Sequence, residues 1–257
     1  ETGAVLLAGA RDKWRLVPFW EYQLSELSSI RAEIDFRDTK YDDVFAGLLT
    51  DYTNTRVNLA YRRSFTNVTT GLIEFTGRRY DSDSSASDTN TYGVSLGIQQ
   101  ALSKTTQVSF EIGFEEKDES GVESDPKVTG SVTLNRNLET IRFFARYSRS
   151  ESGDGLGNVS TRDSFNLNFR RRLSEKITAG LGVRANRTDR ESNAILDQDR
   201  NYLQLRSSLV WYLSKSLVIE ANYRYTVLDR GEDLGGAANS NQLNLWFVYQ
   251  PKAIPEI

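Results

Sequence analysis

The stretch Ser164-Phe-Asn-Leu-Asn-Phe-Arg-Arg-Arg-Leu173 alternates. Its odd positions hold Phe165, Leu167, Phe169, Arg171 and Leu173, and its even positions hold Ser164, Asn166, Asn168, Arg170 and Arg172. A period of two sustained this long marks a β-strand with one apolar and one polar face. Val108, Phe110, Ile112 and Phe114 repeat the pattern against Gln107, Ser109, Glu111 and Glu115. Leu217, Ile219, Ala221, Tyr223 and Tyr225 repeat it against Val218, Glu220, Asn222, Arg224 and Thr226, and Ile30, Ala32, Ile34 and Phe36 against Arg31, Glu33, Asp35 and Arg37.

Reading outward, strands fall near 13–24, 27–38, 52–64, 68–80, 90–102, 105–117, 127–137, 139–150, 161–173, 176–188, 200–213, 216–228 and 240–250. Short turns at Ser25-Glu26, Thr66-Asn67, Ser103-Lys104, Asn137-Leu138, Ser174-Glu175 and Ser214-Lys215 take turns with longer connections near 39–50, 82–89, 118–125, 152–160, 189–199 and 229–239. The long connections are rich in Asp, Ser, Gly and Asn, residues of turns and loops. Strict alternation of tight and long connections is the asymmetry of an outer-membrane β-barrel. Thirteen strands leave one unmatched, and Thr2 to Ala10, with a tight turn at Arg11-Asp12, can supply a fourteenth. The expected fold is an all-β, transmembrane, antiparallel up-and-down barrel of about 14 strands. Twelve strands, or a larger barrel trimmed at its N-terminus, are the alternatives. The domain reading is a single barrel over 1–250 and a periplasmic tail over 251–257.

A soluble β-sandwich would also carry one apolar face per strand. Three features favour lipid. The strands exceed the usual soluble length of about 5–6 residues and match the 9–11 that a tilted membrane strand needs. Arginines recur on the polar face of strand after strand. Aromatics gather toward strand ends, in two belts: Trp20, Tyr22, Trp211 and Tyr249 at one level, Trp14, Tyr80, Tyr92, Tyr147, Tyr202 and Tyr225 at the other.

Composition bounds the chemistry. The chain has 257 residues, 18 glycines and only 4 prolines, with 12 tyrosines and 12 phenylalanines, a mix suited to many strands. No run approaches the roughly 18 apolar residues of a spanning helix. Cysteine and histidine are both absent, which removes disulfides, thiolate metal sites and every serine–histidine mechanism. The net charge of -3 offers no global basic field for nucleic acid. No signal peptide is visible, and the start at Glu1-Thr2-Gly3 reads as a processed or trimmed end.

Asn67-Val-Thr69, Asn158-Val-Ser160 and Asn186-Arg-Thr188 match the glycosylation pattern but carry no meaning in a bacterial barrel. Asp197 with Asp199, and the acidic segment Glu115 to Asp125, lack the ligand spacing of a defined calcium loop. Glu111 with Glu115, and Glu33 with Asp35, read as lumen salt-bridge partners rather than a hydrolytic pair. No metal, cofactor or catalytic residue is expected, and the chain is not read as an enzyme.

If the apolar set faces lipid, the other set lines the lumen. The candidates are Arg31, Glu33, Arg37, Arg56, Arg62, Glu74, Glu111, Arg142, Arg146, Arg170, Arg172, Arg184, Arg206, Glu220 and Arg224, with Arg15, Glu21, Asp35 and Glu115 on the same face. Acids concentrate in the first half and unpaired arginines in the second. One side of the lumen is therefore expected to be mixed or acidic and the other basic.

The element Trp14-Arg-Leu-Val-Pro18-Phe-Trp-Glu-Tyr22-Gln-Leu-Ser25-Glu26 is followed by Tyr41-Asp-Asp and by the echoes Ala101-Leu-Ser-Lys, Arg172-Leu-Ser-Glu and Tyr212-Leu-Ser-Lys. These resemble a family of proteobacterial outer-membrane barrels found with exopolysaccharide and exosortase systems, whose short turns read L-S-E or L-S-K. The resemblance covers nearly the whole chain. It implies a role in passing or anchoring an extracellular polysaccharide and supplies no catalytic residues.

The functional expectation is an outer-membrane channel with an Arg-rich lumen for polysaccharide export. A diffusion porin for small polar or anionic solutes, and a non-conducting scaffold that binds a partner protein, are the alternatives. Expected partners are outer-membrane lipid and lipopolysaccharide, the polysaccharide itself, and a periplasmic or outer-membrane protein. With Ile257 rather than an aromatic residue at the end, the assembly signal would fall on Phe247 or Tyr249 inside the strand, or the tail serves another purpose.

Overall fold

A computed structural model describes residues 11–41, 51–83, 89–119, 122–123, 126–153, 159–189, 200–229 and 236–249. They form one antiparallel sheet. The segments are β1 (Arg11–Leu16), β2 (Phe19–Ser25), β3 (Ser28–Tyr41), β4 (Tyr52–Thr66), β5 (Thr69–Ser82), β6 (Thr89–Ser103), β7 (Thr106–Glu119) and β8 (Val122–Glu123). They continue as β9 (Lys127–Asn137), β10 (Ile141–Gly153), β11 (Val159–Arg172), β12 (Ile177–Asp189), β13 (Arg200–Tyr212), β14 (Leu217–Asp229) and β15 (Ala237–Tyr249).

Each long strand pairs with its sequence neighbours, in the order β1-β3-β4-β5-β6-β7-β9 through β15. β2 continues β1 along the same edge of β3, so the two are halves of one strand. Leu16 stands opposite Phe36 and Phe19 opposite Glu33, an unbroken register across the gap. Pro18 causes the gap, because it has no N–H to donate. Its carbonyl still accepts from Ile34 N at 3.0 Å. Counting β1 and β2 as one, and including the two-residue β8, the described residues form fourteen antiparallel strands in thirteen rows. The observed rows follow the alternation read from sequence to within about three residues at each end.

Two expectations need restating. Arg11 and Asp12 are not a turn but the first residues of β1, paired with Tyr41 and Lys40. The extra strand at Thr2 to Ala10, most of the long connections and the tail 251–257 lie outside the described residues. Among the described residues no ladder joins β15 to β1 or β2. Thirteen rows leave these two edges running the same way, so an up-and-down closure takes one further strand between them.

The short turns show why Ser or Thr recurs there. Ser25 Oγ accepts from Leu27 N at 3.3 Å, Thr66 Oγ1 from Val68 N at 3.2 Å, and Ser103 Oγ from Thr105 N at 3.2 Å. Ser174 Oγ takes the N–H groups of Lys176 and Ile177, and Ser214 Oγ those of Ser216 and Leu217. A hydroxyl that accepts from the backbone two residues on closes a tight reversal without glycine.

Burial is inverted relative to a soluble domain. Among the described residues the buried apolar side chains are Ala60, Tyr80 and Val218, whereas buried polar ones include Asp35, Arg78, Glu151, Asn186 and Gln204. On the outer face Val94 stands opposite Phe114, Leu96 opposite Ile112 and Ile98 opposite Phe110, all exposed. From Tyr92 to Leu102 this apolar row covers about 24 Å of height, at about 3.4 Å per residue and a tilt of about 45°, which matches a bilayer's apolar band of about 25 Å. This is the fold of an outer-membrane β-barrel.

Candidate functional site

The register carries Arg31, Glu33, Arg37, Arg56, Arg62, Glu74, Glu111, Arg142, Arg146, Arg170, Arg172, Arg184, Arg206, Glu220 and Arg224 to a single face of the sheet. Arg15, Glu21, Asp35 and Glu115 share it. It is the inner face, where the buried polar side chains lie. Because successive side chains alternate and opposed residues share a face, one correct parity propagates around the wall.

Trp14, Trp20, Tyr22, Tyr92, Tyr147, Trp211, Tyr225 and Tyr249 point outward. Trp20 and Tyr22 stack with ring centroids 5.8 Å apart, and Tyr147 OH donates to Asp163 Oδ1 at 2.7 Å. Tyr80 and Tyr202 correct the belt reading. Both lie on the inner face: Tyr80 is 1% exposed against Tyr52, and Tyr202 OH accepts from Gln204 Nε2 at 2.8 Å. The signal was available, since Tyr80 has the parity of Glu74 and Tyr202 that of Arg206. Arg78 shares that parity too and was missing from the lumen set.

The two halves of the inner wall differ in their share of acids, with Glu21, Glu33, Asp35, Glu74, Glu111 and Glu115 on β2–β7 against Glu220 on β10–β14. On β1–β7 acids pair with part of the cations, while Arg56 and Arg62 make no ion pair or hydrogen bond through their guanidiniums among the described residues. Asp35 accepts from Arg15 Nε and Nη2, both at 2.9 Å, and also from Arg37. Arg31 pairs with Glu33 at 2.6 Å and lies 4.5 Å over the Phe19 ring. Glu111 accepts from Ser95 Oγ at 2.9 Å. On β10–β14 the arginines outnumber the acids. Arg184 donates to Asn166 Oδ1 at 3.1 Å, and Arg172 reaches only the exposed turn residue Glu139 at 3.8 Å. Arg142, Arg146, Arg170, Arg206 and Arg224 make no ion pair or hydrogen bond through their guanidiniums among the described residues.

The two ends of the inner wall also differ. At the long-connection end the β9–β10 ladder stops at Arg149 opposite Gly130, while β10 and β11 stay paired to Gly153 and Val159. The wall splits there, and the β10–β11 end leans inward. Glu151 has the outward parity of Arg149, yet it is 3% exposed. Its carbonyl accepts from Arg78 Nη1 at 3.1 Å, and its carboxylate stands 3.3 Å from Lys127 Nζ, an ion pair without hydrogen-bond alignment. Arg78, Tyr80, Ser82, Thr89 and Thr91 are buried on the facing ends of β5 and β6. Toward the short turns the wall opens into a concavity of about 640 Å³ on β9–β15, lined by Arg142, Arg170, Arg206 and Arg224 among asparagines.

No family model matches the chain, and no curated protein does. The structure is similar to that of the ferric yersiniabactin uptake receptor FyuA from Yersinia pestis, with a TM-score of 0.52 at 10% identity over 87% of this chain and 43% of the receptor. It is similar more distantly to the ferric-catecholate import receptor Fiu from E. coli K12, with a TM-score of 0.44 at 9% identity over 91% of this chain and 54% of the receptor. The chain thus spans about half the length of these receptors. The likeness to FyuA is one of fold.

Proposed function

We propose that this chain forms an outer-membrane conduit for an extracellular polysaccharide. The carrying observation is the inner wall of β10–β14, where five arginines stand without carboxylate partners while amides and hydroxyls fill the positions between them. A wall that only stiffened the barrel would match guanidiniums with acids, as Asp35 does for Arg15 and Arg37 and Glu33 for Arg31, because an unmatched cation in a narrow lumen loses solvation without compensation. An unmatched tract facing water is suited to a passing polyanion or a strongly hydrated polymer. The Leu-Ser-Glu and Leu-Ser-Lys turns support the same reading through the resemblance they carry. The outer face, with its apolar band and two aromatic levels, supports an outer-membrane location in contact with lipid and lipopolysaccharide.

Single-channel conductance of the refolded chain in a planar bilayer tests the proposal. Stable conductance that long polysaccharide blocks, and its monosaccharides do not, is the expected result. Conductance indifferent to polysaccharide would make the chain a porin for small solutes. Insertion without conductance would leave a scaffold that binds a partner protein.

A further inference from the structure

We infer that the concavity on β9–β15 is a binding site for a carboxylate-bearing oligosaccharide segment, such as a run of uronic acid residues. The inference rests on the conduit reading for its context, but its evidence is local. Arg142 stands directly opposite Arg170, and Arg206 directly opposite Arg224. β12 runs between the two pairs. Arg170 and Arg206 therefore sit two strand spacings apart and two residues apart along the strands, about 12 Å. Among the described residues no acidic side chain lines the concavity. Two guanidinium pairs at this interval can hold two carboxylates of an extended chain, each in the forked geometry that arginine offers.

The floor between the pairs is bare backbone. β12 turns Gly180 and Gly182 inward, opposite Arg170 and Arg206. A Cβ on Gly180 would collide with Ser208 Oγ. A Cβ on Gly182 would lie 3.5 Å from Asn168 Oδ1 and 3.7 Å from Arg206 Cβ, an ordinary contact. Space at Gly182 is thus compatible with a side chain and is left empty, which lets a ligand approach the sheet itself.

The residues around the arginines select a hydroxylated anion over a bare one. Asn137, Asn168 and Asn222 line the concavity and spend their amides on no side-chain partner among the described residues. An amide both donates and accepts, as a sugar hydroxyl does. Chloride would use only donors and leave the amide oxygens idle. Phe144, also inward, offers an apolar face to the C–H side of a sugar ring.

The test is calorimetric titration of the refolded full chain in detergent micelles with tetragalacturonate, its methyl ester, monomeric galacturonate and inorganic phosphate. Tetragalacturonate is expected to bind most tightly, with an affinity that falls as salt rises. The methyl ester is expected to lose about tenfold or more, the value of one good charge-assisted contact. Arg170→Gln with Arg206→Gln, and separately Gly182→Leu, should each lose binding by a similar factor. Arg187→Gln, on the outer face, should not. Circular dichroism of each variant reports whether the sheet has formed, and Arg206→Gln alone serves if the double variant does not refold. Equal binding of the methyl ester, or full competition by phosphate at matched ionic strength, would overturn the site. Binding by a protein without conductance would leave the site and remove the conduit. Polysaccharide-blocked conductance without tetragalacturonate binding would do the reverse.

Discussion

Arg78 on β5 donates a hydrogen bond of 3.1 Å to the backbone carbonyl of Glu151 on β10, four rows away around the sheet. Four strand spacings amount to about 19 Å of wall, so the bond crosses the interior rather than following the surface. It ties down the end of the β10–β11 hairpin where β10 has left β9. Arg78→Ala would leave a buried carbonyl without that donor and cost about 1.5–3 kcal/mol locally. Faster hydrogen exchange at residues 149–153, with exchange near the short turns unchanged, is the expected result.

Asp35 joins β1 to the sheet. Its buried carboxylate takes both nitrogens of Arg15 and pairs with Arg37. Asp35→Asn removes the charge that both guanidiniums share. Discounted for the half-exposed Arg15, the expected loss is about 1–3 kcal/mol. It should appear as a lower urea midpoint in vesicles and as early exchange of Arg11–Leu16.

Parity can be tested on one strand. Leu96 faces outward between Ile73 and Ile112, whereas Gln99 faces inward between Thr70 and Ser109. Leu96→Arg places a cation in the apolar band and should cost about 2–4 kcal/mol of folding free energy in lipid. Gln99→Arg should be near neutral by the same vesicle titration. Equal costs would contradict the assignment of faces.

Two glycines should respond oppositely to alanine. A Cβ on Gly113 would come within 2.9 Å of both Ser95 Cβ and Val94 O. Gly113→Ala is therefore expected to destabilise by about 1–3 kcal/mol. At Gly77 nothing lies within 4 Å of the added carbon. Gly77→Ala is expected to be neutral or to stabilise by up to about 1 kcal/mol, since it lowers the entropy of the unfolded chain. Thermal or urea unfolding of the pair reads both signs.

Alternation alone determined most of the wall. Side chains of a strand point to opposite faces at every step, so Arg170 beside Phe169 already assigns one to the lumen and the other to lipid, whatever the barrel's size. The Leu-Ser-x turns were equally legible, because the serine hydroxyl acts on a backbone N–H two or three residues away. For Tyr80 and Tyr202 aromatic character points to the belts, whereas parity with Glu74 and Arg206 points to the lumen, and parity prevails. Only the tertiary structure decided which inner residues meet. Arg78 and Glu151 are 73 positions apart, and their contact depends on the split above Arg149 and Gly130. The concavity likewise needs Arg142, Arg170, Arg206 and Arg224 brought to nearby levels of four strands with two glycines between them. Parity gives a residue its face. Register and curvature, which arise from the pairing of whole strands, give it its neighbours.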